Sequence, residues 1–287
     1  MISTMNNLKT VLLLGALFGL VVWVGSYWGT GGMLVAGVLA TVMNFGAWFA
    51  SDKIAIAAMR GRQVDETTAP DLVRMVARLA ERANLPMPRV YVCPQDAPNA
   101  FATGRNPKHA AVAVTRGALQ LLAPEELEGV MAHELAHVKN RDTLTSTIAA
   151  TVAGLFAMLS NIMMYSFMLG GNRRDGAHPL VLLGTVLLGS IGAALIRAMI
   201  SRSREFVADA DGARIAGSAH GLMSALQKLD TYAKRIPMRN PNPAMNNLFI
   251  VEPFMGRTLT NLFATHPPTA ARVAALQQQA RAIAGGR

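Results

Sequence analysis

The sequence predicts a mostly α fold: a four-span helical membrane protein with a cytosolic α+β domain that contains a small sheet. Only 15% of the 287 residues are charged, whereas 52% are hydrophobic. The charges are also segregated, because residues 10–51, 143–172 and 176–196 contain no Asp, Glu, Lys or Arg. Between helical patterns, the charged part of the chain carries short apolar runs bounded by turn residues, which are typical of strands.

The first uncharged stretch is long enough to cross a membrane twice. As a helix its 42 residues would extend about 63 Å, against a hydrocarbon core of about 30 Å. Gly29-Thr30-Gly31-Gly32 is the predicted turn of a hairpin with spans at about 10–28 and 33–50. The other two stretches predict a second hairpin, with spans at about 143–170 and 178–198.

The spans divide the chain into four segments. Residues 1–50 and 143–200 are the two hairpins, and residues 51–142 and 201–287 are the two halves of the soluble domain. Basic residues beside the spans lie mainly on one side. Because cytoplasmic loops are enriched in Lys and Arg, both termini and the soluble domain are predicted to be cytosolic. The residues on that side are Lys53, Arg60, Arg62, Lys139, Arg141, Arg202, Arg204 and Arg214, against Arg173 and Arg174 on the other.

The net charge of +10 comes mostly from residues 201–287, which hold 11 basic and 5 acidic residues. We interpret it as contact with anionic lipid and predict no nucleic-acid partner, because the chain contains no nucleic-acid-binding motif. Cys93 is the single cysteine, which excludes an intramolecular disulfide and a cysteine-based zinc site. It is predicted to be a buried thiol.

The first soluble segment predicts a helix, a small sheet and a second helix. The first helix begins at Thr68-Ala-Pro-Asp71 and ends before Asn84-Leu-Pro-Met-Pro88. Pro124-Glu-Glu opens the second helix with proline and acids in its first turn, and this helix is predicted to run on towards the third span. The predicted strands between them are 90–93, 99–103 and 110–115.

The second soluble segment predicts three helices. The first emerges from the membrane at Ser201 and runs to about Ile215, and the second covers about 219–235. A loop rich in Pro and Asn follows at 237–247, and the last helix runs from about His266 to about Ala284.

Residues 133–137 read His-Glu-Leu-Ala-His, which places two imidazoles one helical turn apart on one face. A catalytic zinc ion has three protein ligands and an open position for water. His133 and His137 are therefore predicted ligands. Glu134 is the predicted general base, which takes a proton from the attacking water and later delivers it to the leaving amine.

Glu205 is the strongest candidate for the third ligand. It stands four residues before Asp209, so both side chains project from one face of a helix. Asp209 can accept the second ring N–H of a ligand histidine and fix its tautomer. In the alternative interpretation, Glu205 is a surface carboxylate paired with Arg202 or Arg204. Asp211 is a weaker substitute for Asp209.

The remaining histidines are weaker candidates. His109 lies in a polar turn, His178 on the far side of the membrane and His220 at a helix start, so none is predicted to be a ligand. His266 opens the last helix in a His-Pro-Pro sequence. Two interpretations of it stay open: a group that stabilises the oxyanion or orients another residue, and a helix cap.

With these motifs, the chain resembles the HtpX family of membrane-bound zinc metalloproteases, which are related to the CaaX prenyl proteases. The resemblance covers nearly the whole chain and includes the N-terminal hairpin. It implies a zincin-like, Glu-type metalloprotease domain with one Zn²⁺ per chain, in which Asp209 acts on His133. The ordered motifs are Asn99-Ala-Phe-Ala-Thr-Gly104, His133-Glu-Leu-Ala-His137, Glu205-Phe-Val-Ala-Asp209 and His266-Pro-Pro-Thr.

The resemblance also implies a cellular role. It indicates an endopeptidase of the bacterial inner membrane that cleaves misfolded or damaged membrane proteins at the cytosolic face, in quality control and the stress response. It implies self-cleavage when zinc is supplied. The implied partners are membrane-protein substrates, the lipid bilayer and other membrane quality-control proteases.

The resemblance gives the motif at 99–104 a role in substrate binding. A short strand beside a metal site can present its edge to an extended substrate and bind many sequences through backbone hydrogen bonds. The alternative is an ordinary strand with a turn that begins at asparagine. The residues concerned are Asn99, Ala100, Phe101, Ala102, Thr103 and Gly104.

Two functions from other classes compete with proteolysis. One is a zinc-binding membrane scaffold or chaperone without hydrolytic activity, which Glu134 disfavours because a structural site needs ligands but no base. The other is a metal transporter. Transport sites typically place polar groups near the bilayer midplane, whereas the ligands predicted here lie outside the uncharged spans.

Overall fold

The computed structural model describes residues 29–144, 202–235 and 267–285, together with single positions between Leu8 and Ser26. The described part is mostly helical with one small mixed sheet, as predicted. A 3-10 turn, Pro107–His109, precedes β4. The elements in chain order are α1 Gly29–Ala58, β1 Arg62–Val64, α2 Pro70–Arg82, β2 Arg89–Cys93, β3 Ala100–Thr103, β4 Ala111–Thr115, α3 Arg116–Leu121, α4 Pro124–Lys139, α5 Arg202–Ala216, α6 His220–Arg235 and α7 Thr269–Gly285.

Helix α1 contains one segment, Gly29–Ala50, that is long and apolar enough to cross a membrane, and it is the one such segment among the described residues. The predicted turn at 29–32 is wrong, because Thr30 to Gly32 are already helical and only Gly29 has a left-handed φ, of 73°. The candidate span ends at Ala50, as predicted, and the helix itself continues beyond it to Ala58. The predicted spans 143–170 and 178–198 lie outside the described residues, and 10–28 is described only in part.

The sheet has the strand order β1-β2-β4-β3. Strands β2 and β4 are parallel, with Val90 opposite Val112, whereas β1 and β3 pair antiparallel to their neighbours. Both β3 and β4 begin one residue later than predicted, so Asn99 and Ala110 precede them. Strand β4 is buried along its whole length because helices cover both faces of the sheet, and β3 forms an edge.

The C-terminal turns of α1 pack on one face of the sheet. Ala55, Ile56 and Met59 form a buried cluster with Cys93, Phe101 and Ala113. Two polar contacts reinforce this packing. Arg89 of β2 forms an ion pair with the buried Asp52, and the Arg105 guanidinium lies 5.2 Å from the centre of the Phe49 ring. The apolar helix and the sheet therefore form one packed unit.

Helix α4 lies on the other side of the sheet and contacts α5, α6, α2 and β3. It approaches α6 backbone to backbone, because a Cβ on Gly129 would lie 2.4 Å from the Leu222 nitrogen. The prediction that this helix runs on towards the third span is wrong. It ends at Lys139, and Arg141 adopts a left-handed φ of 57°, which interrupts the helical hydrogen bonds before residues 142–144 become helical again.

The single cysteine tests how α1 packs on the sheet. Cys93 is fully buried, and burial raises the pKa of its thiol to about 11. At neutral pH in detergent, we expect alkylation of the folded protein to be at least about a hundredfold slower than alkylation of the denatured chain, because the thiolate is the reactive form. Ile56→Ala should accelerate labelling, whereas Leu119→Ala on the exposed side of α3 should not. Rapid labelling of the folded wild type would contradict this packing.

Candidate metal centre

Three predicted ligands meet where α4 contacts α5. The ligand atoms of His133, His137 and Glu205 all lie within 4.8 Å of one another. The two Nε2 atoms are 3.2 Å apart, Glu205 Oε1 is 3.5 Å from His137 Nε2, and Glu205 Oε2 is 3.7 Å from His133 Nε2. Tetrahedral ligands at zinc–ligand distances of about 2.0–2.1 Å lie about 3.3 Å from one another. The three groups therefore have the spacing that a zinc ion requires.

Glu205 is buried rather than exposed, with 4% of its surface accessible. The interpretation of Glu205 as a surface carboxylate is therefore wrong. The close approach of α5 to α4 depends on Gly212, since a Cβ there would lie 2.9 Å from both the Cα and the nitrogen of His133. No side chain fits at such a distance, so glycine allows the helix that carries Glu205 to reach the helix that carries the histidines.

Each ligand histidine has a carboxylate behind it. His133 Nδ1 lies 3.0 Å from Asp209 Oδ1, the contact that the family resemblance implied. His137 Nδ1 lies 3.1 Å from Asp142 Oδ2. A carboxylate that accepts the Nδ1 proton fixes the tautomer whose Nε2 lone pair is free for a metal. Asp211 does not substitute for Asp209, because its carboxylate accepts a hydrogen bond from Asn140 Nδ2 at 3.0 Å.

Arg272 of α7 reaches this centre and is itself 1% exposed. Its Nε and Nη2 donate to the two oxygens of Asp209 at 2.8 and 2.7 Å, and its Nη1 lies 3.8 Å from Glu205 Oε2. Burial alone would raise the pKa of Asp209, but the hydrogen bonds from Arg272 and His133 outweigh it and lower this pKa to about 2. Asp209 is therefore charged at neutral pH.

Glu134 lies between the ligands and the sheet edge. Its carboxylate is 6% exposed, and its Oε2 accepts a hydrogen bond of 2.8 Å from the N–H of Ala102 in β3. Burial raises the pKa of Glu134, and this effect exceeds the opposite influence of His133 and His137. A carboxylate with a raised pKa beside a metal site is suited to proton transfer.

The predicted substrate strand lies beside Glu134, but not all of it faces the centre. Phe101 packs against α1 on the opposite face of the sheet. Asn99 is buried before the strand, where its N–H donates to Thr115 Oγ1 at 2.8 Å. Gly104 follows Thr103 with a φ of 126°, and a Cβ on Gly104 would lie 2.3 Å from the carbonyl oxygen of His109. Ala100 and Ala102 are thus the strand residues on the side of α4.

Sequence reasoning did not identify Asp142 or Arg272. The signal for Asp142 was a carboxylate five residues after His137, and the signal for Arg272 was a lone arginine among small apolar residues. Both are buried charges, and a buried charge is stable only when it is paired. His266 lies outside the described residues, so both interpretations of it stay predictions.

The chain is similar to known proteins over most of its length. The model of the family described as Peptidase family M48 matches residues 66–280. A "Protease HtpX homolog" of Nostoc punctiforme is 52% identical over 277 residues, covering 94% of this chain and 95% of the relative. Another of that name, from Desulforapulum autotrophicum, is 47% identical over 287 residues, covering 98% and 93%. The crystal structure of S. mikatae Ste24p aligns with a TM-score of 0.48 and 16% identity, covering 96% of this chain and 66% of that one.

Replacing Arg272 by Met is expected to destabilise the zinc-free protein by about 3–5 kcal/mol at neutral pH, because Asp209 is left buried without its guanidinium partner. The folded pKa of Asp209 is depressed to about 2. Its stabilising contribution is therefore complete above the unfolded pKa of about 4 and is lost as the pH falls towards the folded value. The loss of stability in Arg272→Met relative to the wild type should therefore become smaller as the pH falls from about 4 to about 2.

The measurement is the free energy of unfolding in detergent over a series of pH values. Arg281→Met is the control, because Arg281 lies exposed on the same helix and should cost little. A deficit for Arg272→Met that does not change with pH would contradict this role of Asp209.

Proposed function

The chain belongs to peptidase family M48 and is a membrane metalloprotease, and we propose that it is a zinc-dependent endopeptidase whose metal ligands are His133, His137 and Glu205. The observation that carries the proposal is the spacing of the three ligand atoms, 3.2 to 3.7 Å, which fits tetrahedral zinc. Two imidazoles and one carboxylate are also the donors of catalytic zinc sites, whose fourth position binds water or substrate.

The chain's own residues divide the chemistry among them. When bound, zinc supplies Lewis acidity, which polarises a peptide carbonyl and makes water easier to deprotonate. Glu134 takes a proton from the attacking water and passes it to the leaving nitrogen, and its raised pKa makes it a stronger base for the first of these transfers. The Ala102 N–H holds the carboxylate of Glu134 in place. Asp209 keeps Nε2 of His133 directed at the metal.

The edge of β3 is the proposed binding site for an extended substrate. Hydrogen bonding to the neighbouring strand alternates along an antiparallel strand. The Ala102 N–H bonds to Glu134, so it faces away from β4. The N–H and carbonyl of Ala100 and the carbonyl of Ala102 accordingly remain on the outer edge of β3, where a peptide can add as a further strand next to the metal ligands. Such binding depends little on side chains, which suits a permissive protease.

The proposed setting is the bacterial inner membrane, with four spans and the active site and both termini in the cytosol. The distribution of basic residues beside the spans supports this orientation. Helix α1 supports a position of the domain next to the membrane, since its C-terminal turns pack on the sheet that borders the metal centre. The catalytic domain thus lies at the end of a span, where membrane proteins are the nearest substrates.

The proposed role is quality control and the stress response, through cleavage of misfolded or damaged membrane proteins. The near-full-length relatives that carry the name "Protease HtpX homolog" support the protease activity on which this role depends. We further propose self-cleavage when zinc is supplied. The bilayer and other quality-control proteases are proposed partners, and no nucleic acid is expected.

Glu134→Gln tests the catalytic assignment. The variant should retain about one zinc per chain and lose about 10²–10⁴-fold in the rate of cleavage of an unfolded model protein, because general-base catalysis is removed. Chelation should abolish wild-type activity, and returning zinc should restore it. The control is Glu125→Gln, an exposed glutamate on the same helix, which should cleave normally.

Two outcomes would contradict this prediction. A wild-type cleavage rate in Glu134→Gln would remove Glu134 as the base. Zinc-loaded wild type that cleaves nothing would instead support the scaffold or chaperone interpretation.

Peptides with a single backbone N-methyl group test strand addition. If the substrate pairs with β3, methylation should raise KM at every second residue, since only alternate N–H groups bond to the neighbouring strand. The measurement is cleavage of one peptide methylated at each position in turn. Side-chain substitutions at the same positions are the control and should have smaller effects. An effect without alternation would favour the ordinary-strand interpretation of residues 99–104.

The topology is testable with reporter cysteines in a Cys93→Ser background. An impermeant maleimide added to intact cells should label Asn172→Cys between the third and fourth predicted spans. Glu66→Cys, at an exposed position after α1, should react only after the membrane is opened, because the soluble domain is expected in the cytosol. Labelling in the reverse order would invert the proposed orientation.

A further inference from the structure

The two ligand histidines have equivalent surroundings. Behind His133 stand Asp209 and Arg272, as described above. Behind His137 stands Asp142, whose second oxygen lies 3.4 Å from Nη1 of Arg204. Asp142 is 3% exposed and the side chain of Arg204 is 11% exposed. Each imidazole thus contacts a carboxylate through its Nδ1, and each carboxylate in turn contacts a guanidinium. Both groups of contacts lie in a region with little access to water.

This arrangement requires that α4 ends before Asp142. At about 100° per residue, a continued helix would place Asp142 about 140° around the axis from His137, far from its ring. The helix instead ends at Lys139, and the left-handed Arg141 turns the backbone. Asp142 therefore returns to the Nδ1 side of His137. A non-glycine residue at positive φ is unfavourable, so the surrounding contacts must hold this turn.

We propose that Asp142 is a positioning residue of the metal centre, which holds His137 with Nε2 directed at the metal while Arg204 holds the carboxylate of Asp142. The inference rests on the proposed function to the extent that it takes His137 as a zinc ligand. A neutral imidazole binds metal through one nitrogen only when the proton resides on the other, and a carboxylate at that proton also makes the ligand more basic.

Arg204 gives this contact a further consequence. It precedes Glu205 directly, so a single turn of α5 supplies both the third ligand and the arginine that holds Asp142. The orientation of His137 and the position of Glu205 are therefore coupled through one short segment.

A purely structural link between the end of α4 and α5 is the competing explanation, and Asp211 provides a matched control for it. Its carboxylate joins the same two segments, since it accepts a hydrogen bond from Asn140 Nδ2 at 3.0 Å and pairs with Arg214 at 3.0 Å. These partners are not metal ligands. Removing Asp211 should therefore weaken the junction without affecting the metal centre.

The test measures zinc affinity in the full-length protein in detergent, by competition with a chromophoric chelator. Asp142→Ala should raise the dissociation constant for zinc by about 10–100-fold. Asp142→Asn should recover part of that loss, because its amide oxygen can still accept the Nδ1 proton. Arg204→Gln should change affinity in the same direction by a smaller factor, and Asp211→Asn should leave it unchanged.

The visible spectrum of the cobalt-substituted protein gives a second readout, since it responds to ligand geometry. It should change in Asp142→Ala and stay constant in Asp211→Asn. Wild-type zinc affinity in both Asp142 variants would overturn the proposal, and so would an equal loss in Asp211→Asn. If Asp142→Ala does not fold, Asp142→Asn decides the question.

Failure of this inference can be distinguished from failure of the proposed function. Wild type that binds zinc but cleaves nothing would refute the peptidase proposal, while the order of zinc affinities would still decide the role of Asp142. Normal zinc affinity with normal cleavage in both Asp142 variants would refute the positioning role and leave the peptidase proposal intact.

Discussion

Buried charge at the contact between α4 and α5 is the constraint on which the rest of the structure depends. Among the described residues, four carboxylates and two arginines surround the ligand atoms, all with little exposure. With these six groups ionised and the imidazoles neutral, as a bound metal requires, the sum is minus two, which one divalent cation balances. Burial of charge without compensation is costly, so the composition of the centre itself favours such an ion. The groups are Glu134, Asp142, Glu205, Asp209, Arg204 and Arg272.

Backbone packing gives this charged centre its rigidity. Helices α5 and α6 both approach α4 so closely that glycine is needed at the contacts, at Gly212 against His133 and at Gly129 against Leu222. Contacts between backbones leave little room for helices to slide past one another. The ligand atoms therefore lie at metal-binding distances because the helix axes are fixed, and side-chain adjustment contributes less.

Local sequence patterns predicted three residues that the fold brings together at the candidate metal centre. His133 and His137 are one helical turn apart, and so are Glu205 and Asp209, so the arrangement within each pair depends on helix geometry alone. The strands were likewise predicted from their apolar runs and turns, to within one residue at each start. The mostly helical class with a small sheet was predicted for the same reason, because helical periodicity and short apolar runs are local properties.

The parts that the sequence did not predict depend on contacts between distant segments. Asp142 reaches His137 only because Arg141 takes a left-handed conformation, and neither glycine nor asparagine marks that position. Arg272 meets Asp209 across 63 residues of chain. Strand β1 has three residues, too few for a periodic pattern to be recognised. In each case tertiary packing determines the conformation, and the local sequence propensities do not favour it over the alternatives.

The extension of α1 beyond its apolar segment means that the membrane boundary and the domain boundary do not coincide. The final eight residues of this helix, 51–58, provide the cover over Cys93 and Phe101 on the sheet. An isolated helix of that length is unstable in water, because nucleation is costly and few hydrogen bonds repay it. Continuity with the apolar segment removes this cost, so the candidate span stabilises the helical turns that form one wall of the catalytic domain. A fragment cut at the bilayer surface would retain those residues but lose the helix that orders them.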